Sequence, residues 1–179
     1  MAEYSGKEFQ GKNTQVYINI ANEDIGSAFV GSTNTYKMIG VFKDINPKGG
    51  EKPIEREITV GGAYVEKEPQ QTDFTLDGTL IVKSTDPLFF DRLLYGGTDG
   101  NPVECNGDAK AISVFIQSNE GSNFRQVFMR NAKFTKLEDS ITGEDYVSAS
   151  FEISCSPTAS DGTVNVKKGS SKSGEDLTA

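Results

Sequence analysis

The chain has no histidine among its 179 residues, so any chemistry it performs must rest on carboxylates, serines, lysines and two thiols. The side chain best suited to proton transfer near neutral pH, which is also a common nitrogen ligand for zinc, is therefore missing. Glu55, Glu57, Glu66 and Glu68 are the carboxylates that paired acid/base chemistry would draw on. Along a charged stretch they read first as solvated surface charge. Ser113, Ser118, Ser148 and Ser150 have no imidazole to activate them as nucleophiles. Lys83 would become reactive only if stripped of solvent, and a solvent-facing strand position is the simpler reading. Gly49-Gly50-Glu51-Lys52 lacks the full glycine-rich loop and the adjoining Ser/Thr of a phosphate-binding turn, which leaves a connector. Asp99-Gly100-Asn101 offers oxygen ligands of the kind calcium takes, but falls short of a calcium-binding loop and reads as a turn. Cys105 and Cys155 are too few and too widely spaced for a disulfide framework or a metal knuckle, and whether they pair stays open. The expectation is a protein that is not an enzyme, with no catalytic, cofactor-binding or metal-binding residue and no cofactor.

Charge narrows the partners. Twenty-six acidic against 18 basic side chains leave a formal net charge of -8, a surface that repels polyanions. No Lys/Arg cluster with interleaved aromatics grips a phosphate backbone. A wall past which DNA must slide has the opposite requirement and benefits from lacking regularly spaced cations. The N-terminal residues lack the basic-then-apolar progression of a secretory signal. No segment has the roughly 20 apolar residues that a membrane-crossing helix needs. The expected starting place is the cytoplasm, without a membrane partner.

The elements that would position these groups are mostly strands. Residues 14–20 place Val16, Ile18 and Ile20 on one face. Residues 36–42 form a second strand, apolar on both faces. Residues 57–66 form a third, interrupted by Gly61-Gly62, which either bends the strand or turns the chain between two shorter pieces. Residues 72–82 align Phe74, Leu76, Leu80 and Val82, with Gly78 on the same side. A hairpin at Asp77-Gly78 would leave a very short first arm, so a continuous or bulged strand is expected. Further strands follow at 111–117, 124–134 and 146–155, the first two joined by the turn residues Glu120-Gly121-Ser122-Asn123. In the last, Val147, Ala149, Phe151, Ile153 and Cys155 alternate with Tyr146, Ser148, Ser150, Glu152 and Ser154, the pattern of a half-exposed sheet.

One helix signal stands among them, at residues 86–97. Asp86 is placed to cap it, Pro87 to begin it and Gly96-Gly97 to end it. Leu88, Phe89, Phe90, Leu93 and Leu94 would bury one side against strands, with Asp91 and Arg92 on the polar side. A single helix among strands predicts a mainly β domain, an antiparallel sandwich or partly closed barrel with one short flanking helix. The domain spans residues 14–157, between a polar N-terminal arm at 1–13 and a polar C-terminal arm at 158–179. Lys43 to Pro53 reads as a long punctuated loop within a loop region at 43–72. Thr163-Val164-Asn165-Val166 alternates briefly and is able to add to another strand.

This order of early strand, charged loop, strand, helix and late strand resembles the tail tube (major tail) proteins of tailed viruses. Residues 146–157, Tyr146-Val147-Ser148-Ala149-Ser150-Phe151-Glu152-Ile153-Ser154-Cys155-Ser156-Pro157, are similar to their closing sheet element. The resemblance implies a structural subunit that assembles with identical copies into hexameric rings stacked around a channel for genome passage. DNA would traverse the lumen without specific binding. Tail completion, tape-measure or baseplate proteins would be partners, and the site would be the virion tail after assembly in the host cytoplasm. The family's engaging arms and loop would fall on residues 1–13, 43–72 and 158–179. Ser148, Ser150 and Glu152 are lumen candidates, with a solvated outer face the competing reading. The alternatives are a shell, fibre or pilus-like subunit, or a monomeric carbohydrate- or protein-binding β-domain.

Overall fold

A computed structural model of the chain describes residues 7–26, 36–38, 42–52, 55–58, 61–62, 64–67, 71–83, 85–143 and 146–179. After a short 3-10 turn at Gly11–Asn13, the elements in chain order are β1 (Thr14–Asn19), β2 (Tyr36–Met38), β3 (Phe42–Gly49), β4 (Glu55–Ile58), β5 (Tyr64–Lys67), β6 (Phe74–Ile81), α1 (Phe89–Tyr95), β7 (Ile112–Glu120), β8 (Asn123–Ser140), β9 (Ser148–Cys155) and β10 (Val166–Ser170). All strand pairs are antiparallel. The result is a mainly β, sandwich-like domain with one short helix.

Strand β8 belongs to both layers. Its first half pairs with β7 on one side and β10 on the other, giving the layer β2-β1-β7-β8-β10, called sheet A below. Its second half pairs with β9, giving β8-β9-β6-β3, sheet B. The change of layer occurs at a bulge, where Ile112 opposes Ala132 but Val114 opposes Met129. An extra residue bends and twists a strand, which lets one chain leave one sheet and enter another. Asn131 sits in the bulge at φ 54°, a left-handed conformation that asparagine tolerates better than most residues. Asn22, itself at φ 55°, accepts the Asn131 backbone N–H at 2.8 Å. The Asn131 amide donates in turn to Asn165 Oδ1 at 3.0 Å. Three chain segments are thereby tied at one corner.

Between the sheets lies the core. Val16, Ile18, Val114, Ile116, Val127 and Met129 face it from sheet A, while Leu76, Leu80, Phe134, Ala149, Phe151 and Ile153 face it from sheet B. Phe42, Phe90, Phe134 and Phe151 form an aromatic chain with centroid separations of 5.0–6.3 Å, within the range of favourable edge and tilted contacts. Helix α1 contributes Phe90 and Leu93 to this core.

The helix is shorter than expected. Its seven residues rise only about 10 Å, and Leu88 stands exposed ahead of it. Asp86 does not cap it. The Asp86 carboxylate instead bonds the Arg92 guanidinium, a charge-assisted contact stronger than a neutral N–H cap. Arg92 is correspondingly buried along its side chain, at 11% exposure, not on an open polar side. Gly96 and Gly97 end the helix as expected, at φ 78° and 102°.

The loop reading of residues 43–53 is corrected over residues 43–49. Phe42–Gly49 is strand β3, paired with β6 from Phe42↔Leu80 to Gly49↔Phe74. Pro47, Gly49 and Gly50 had suggested a loop, but β3 is an edge strand, where a missing N–H on the outer side is tolerated. The expected strand at 36–42 divides accordingly, with Tyr36–Met38 in sheet A and Phe42 in sheet B. At 57–66 the turn alternative holds, because β4 and β5 form a two-stranded ribbon with Gly61 and Gly62 between them, at φ 110° and 78°. Strand β6 runs unbroken through Gly78, where a Cβ would lie 2.2 Å from the Asp44 carbonyl oxygen. Ile20 is half exposed, and Asn19 is buried in its place.

The C-terminal segment also departs from a free arm. Val166–Ser170 pairs with β8 of the same molecule, and the chain then turns back so that Leu177 packs on Phe115 and Phe128. Of the N-terminal arm, residues 7–10 are exposed, and residues 1–6 lie outside the described residues.

Candidate functional site

The residues with chemical potential are dispersed and mostly committed to structure. The Ser113 hydroxyl donates to the Glu23 carbonyl at 2.6 Å and is fully buried, while Ser118 shares a hydrogen bond with Thr14 at 2.8 Å. Lys83 is exposed beyond the end of β6. Arg56 opposes Glu66 and Glu57 opposes Val65 in the β4–β5 ribbon, and Glu68 lies outside the described residues. At Gly50-Glu51 the backbone donors are already used. The Gly50 N–H donates to the Asp73 carbonyl and the Glu51 N–H to Thr72 Oγ1, so neither is left to cradle an anion. A Cβ on Gly49 would come within 2.2 Å of the Asp73 carbonyl oxygen, so glycine there serves close approach of two strands. Asp99-Gly100-Asn101 is a turn closed by its own hydrogen bonds, with Asp99 3.6 Å from the Arg92 guanidinium. Among the described residues no three His, Cys, Asp or Glu side chains gather as a metal site. Cys105 is exposed and Cys155 buried, both free thiols. Burial, with a smaller contribution from Asp73, pushes the Cys155 thiol up to about 12.

What the fold does assemble is a surface. Sheet B turns Phe74, Leu76, Leu80, Ala149, Phe151, Ile153 and Cys155 inward, so strand alternation directs the intervening residues outward. Cross-strand register lines up Asp77 with Glu152, Thr79 with Ser150 and Ile81 with Ser148. It also places Lys136 beside Glu152 and Glu138 beside Ser150. The three lumen candidates, Ser148, Ser150 and Glu152, therefore share one half-exposed polar face with residues from β3, β6 and β8.

Two of the cations on this face have carboxylate partners, while exposed Lys133, opposite Ser154, has no ion pair among the described residues. Lys48 bonds Asp77, and Lys136 lies 3.0 Å from Glu138. Glu152 accepts the Thr135 hydroxyl at 2.9 Å. The hydrogen bond from Lys48 holds the Asp77 carboxyl below its ordinary value, and Asp77 raises the Lys48 ammonium. Both stay charged across the neutral range and cancel locally. Such a face is wet, and pairing of Lys48 and Lys136 leaves it few free cations to hold a phosphate.

The edges of sheet B are the second half of the site. Among the described residues β3 pairs only with β6, and residues 133–140 of β8 pair only with β9. Each leaves one row of backbone N–H and C=O groups without a strand partner, a template for adding another strand. The long β8, with its corner at Asn131, was not apparent from composition, because the apolar pattern weakens beyond Phe134.

No family model and no curated protein matches the chain. Solved structures do. A chain from the sheath/tube terminator, in the extended state, of the extracellular contractile injection system PVC superposes with a TM-score of 0.58 at 13% identity, over 94% of this chain and 99% of that one. A chain from the PVC sheath-tube complex in the extended state gives 0.55 at 13% identity, over 93% of each chain. A chain from the tube-terminating cap of the anti-feeding prophage gives 0.53 at 11% identity, over 94% and 95%. The chain thus shares its fold with chains from assemblies built around tubes.

Proposed function

We propose that the chain is a structural subunit of a tube, in which identical copies join through the edges of sheet B into hexameric rings, and rings stack around an open lumen. The observation that carries this reading is sheet B itself, four strands whose two edges have no strand partner among the described residues and whose polar outer face pairs Lys48 and Lys136 with carboxylates. Edge-to-edge joining satisfies backbone groups that would otherwise recruit uncontrolled partners, and a closed ring leaves none exposed.

Strand spacing limits the ring size. Four strands at about 4.8 Å present roughly 19 Å per copy, so six copies close a circumference of about 115 Å and a backbone-to-backbone diameter of about 37 Å. Side chains from opposite walls, taking roughly 5 Å each, leave a bore near 27 Å, and strand tilt widens it. A nucleic-acid duplex passes such a bore but not that of a four-copy ring. In the viral reading the tube belongs to the virion tail, genome passes along Ser148, Ser150 and Glu152 without binding, and tail completion, tape-measure or baseplate proteins meet its ends.

A second reading is favoured by the structural matches. Two of the matched chains come from an extracellular contractile injection system, and the same subunit would then build an injection tube. The nucleic-acid content of purified particles separates the two. Assembly itself is tested by negative-stain microscopy across a concentration series, where stacked rings with an open bore are expected. A protein that sediments as a monomer at every concentration overturns the reading and favours a monomeric binding domain. Filaments without a bore favour a fibre or pilus-like subunit.

A further inference from the structure

The charges along the two edges of sheet B differ from row to row. Across the sheet, the row that starts at Lys48 on β3 ends at Lys133 on β8, the row from Asn46 ends at Lys136, and the row from Asp44 ends at Glu138. These side chains alternate with the core-facing set and stand on the outer face. Successive strands of β8-β9-β6-β3 are antiparallel, so β3 runs opposite to β8. A copy related by rotation about an axis along the strands keeps its direction, and its β8 therefore meets β3 antiparallel. If the rows ran straight across that joint, Lys48 would face Lys133 and Asp44 would face Glu138 of the next copy. Like charges directly opposite are destabilising. Pro47 withholds one backbone donor from the β3 edge, which leaves side chains to decide the register.

A slip of the neighbouring β8 must be even, because an odd one turns core-facing residues outward. Strands of closed barrels tilt by about 35–45°. With four strands of about 4.8 Å per copy, a slip of two residues of about 3.4 Å gives a tilt of only about 20°, and a slip of four gives about 35°. A slip of two toward the Gly49 end also sets Lys48 against Lys136. A slip of four toward that end sets Glu138 beside Lys48 and Ser140 beside Asn46, with no like charges opposed. Four in the other direction leaves only two rows of β3 facing residues 133–140. Lys136 stays 3.0 Å from its own Glu138 and Lys48 keeps Asp77, so each lysine of the joint retains its own carboxylate.

The same slip acts on the core-facing side of the joint. It brings Asp139 of the neighbour beside Pro47 and Ile141, one place beyond Ser140 in the same alternation, beside Ile45. Pro47 and Ile45 line a groove of about 560 Å³ where the two layers part, with Val16, Ile116 and Val127 among its apolar walls and Lys43, Arg125 and Lys168 among its lining residues. Among the described residues none of these three cations is ion-paired, and neither is Asp139. Ile141 is 77% exposed, the highest value among the exposed large apolar side chains. We propose that β3 of one copy pairs antiparallel with the end of β8 of the next at a slip of four residues, with Glu138 beside Lys48, Ile141 seated in the groove and Asp139 facing its cations. This deepens the tube reading and rests on it, by naming the register that closes the ring. The joint uses two different edges of the same sheet, so it is heterologous and repeats around the ring.

The test uses the full-length chain carrying Cys105→Ser, which leaves only buried Cys155, and adds pairs of cysteines. Within one molecule Lys48 and Glu138 lie on opposite edges of sheet B, about 14 Å apart at three strand spacings, beyond the reach of a disulfide. In mildly oxidised particles Lys48→Cys/Glu138→Cys should therefore give a ladder of covalent multimers ending at the ring size, and Lys48→Cys/Lys133→Cys should give none. Ile141→Ser, altered at an exposed position, should keep its circular dichroism and need at least tenfold more protein to form rings. Cross-linking at Lys48 and Lys133 in place of Lys48 and Glu138, or at neither pair, in particles that microscopy shows as rings overturns the slip and leaves the tube reading standing. Ring formation unchanged by Ile141→Ser overturns the seat in the groove. A chain that stays monomeric at every concentration removes the tube reading and the joint with it.

Discussion

Sheets A and B are cut from one chain and share a strand, yet only A is covered on both faces. In β7, Ile112, Ser113, Val114, Phe115 and Ile116 are all buried, because the core lies beneath them and a second layer lies above. That second layer is the row Tyr17–Phe115–Phe128, with Ile25 and Leu177 packed against it. In β9 burial alternates residue by residue, since its outer face has no such cover. A continuous buried run marks a sheet completed within the molecule, and a strict alternation marks one that meets water. The completed sheet holds the fold, and the open one is the surface available to other copies.

The largest test of this contrast is deletion of a large buried side chain on each side of sheet A. Phe128→Ala should cost about 3–5 kcal/mol, and Leu93→Ala, on the core side, about 2–5 kcal/mol, read by chemical unfolding of the protomer. Phe89 is only half buried, so Phe89→Ala should cost less than Leu93→Ala. A Phe128 cost near zero would mean that the outer aromatic row is not a second core.

Next in size is the C-terminal cover. A Cβ on Gly169 would lie 2.5 Å from the Glu175 carbonyl oxygen and 2.7 Å from Leu177 Cγ, so Gly169→Val must displace the returning segment. The cost of such overpacking is about 1–3 kcal/mol. The segment is also held by buried Gln126, which donates to Asp176 Oδ1 and accepts the Leu177 N–H, each at 2.9 Å. The Thr178 N–H, then Gln126, keep the Asp176 carboxyl below its ordinary value. A depressed folded-state value stabilises fully above the unfolded value and is lost as pH falls through the folded one. Asp176→Asn should therefore lower stability near neutrality, where the charge-assisted hydrogen bonds are in place, and flatten the loss of stability that wild type shows below about pH 4.

The same contrast explains what was legible in the sequence. Alternation at Ala149, Phe151 and Ile153 is strong because one face is wet, so β9 and its inward set could be read directly. Phe90 and Leu93 were readable as helix anchors from their spacing. The pairing of Phe42–Gly49 was not, since Pro47 and the glycines at an edge look like a loop until β6 supplies the other half of the ladder. Nor was the corner at Asn131, because its bonds to Asn22 and Asn165 join residues far apart in sequence. Deleting residues 46–54, which would have removed a loop, instead removes part of β3, and loss of secondary structure is the expected outcome by circular dichroism.

Sealing of the inner face of sheet B has a chemical readout. Cys155 is buried with its thiol pushed up to about 12, and reactivity follows the thiolate. At pH 8 a thiol reagent should modify exposed Cys105 promptly and Cys155 only at the rate of unfolding. Prompt modification of both would mean that sheet B is not closed toward the core.

The smallest expected effect on the protomer lies on the outer face of sheet B, and its consequence there is the most specific. Lys48 and Asp77 are an exposed pair, and such pairs contribute little to stability, so Asp77→Asn should leave the melting temperature unchanged. It nevertheless leaves Lys48 unneutralised on a face otherwise balanced by its carboxylates. If that face lines the bore, each ring gains a girdle of cations, and assembled tubes should retain DNA at low salt where wild-type tubes do not. Retention should fade near 0.15 M salt, where the screening length is about 8 Å. Unchanged behaviour in assembled tubes would place the Lys48–Asp77 row outside the lumen and assign the bore to another surface.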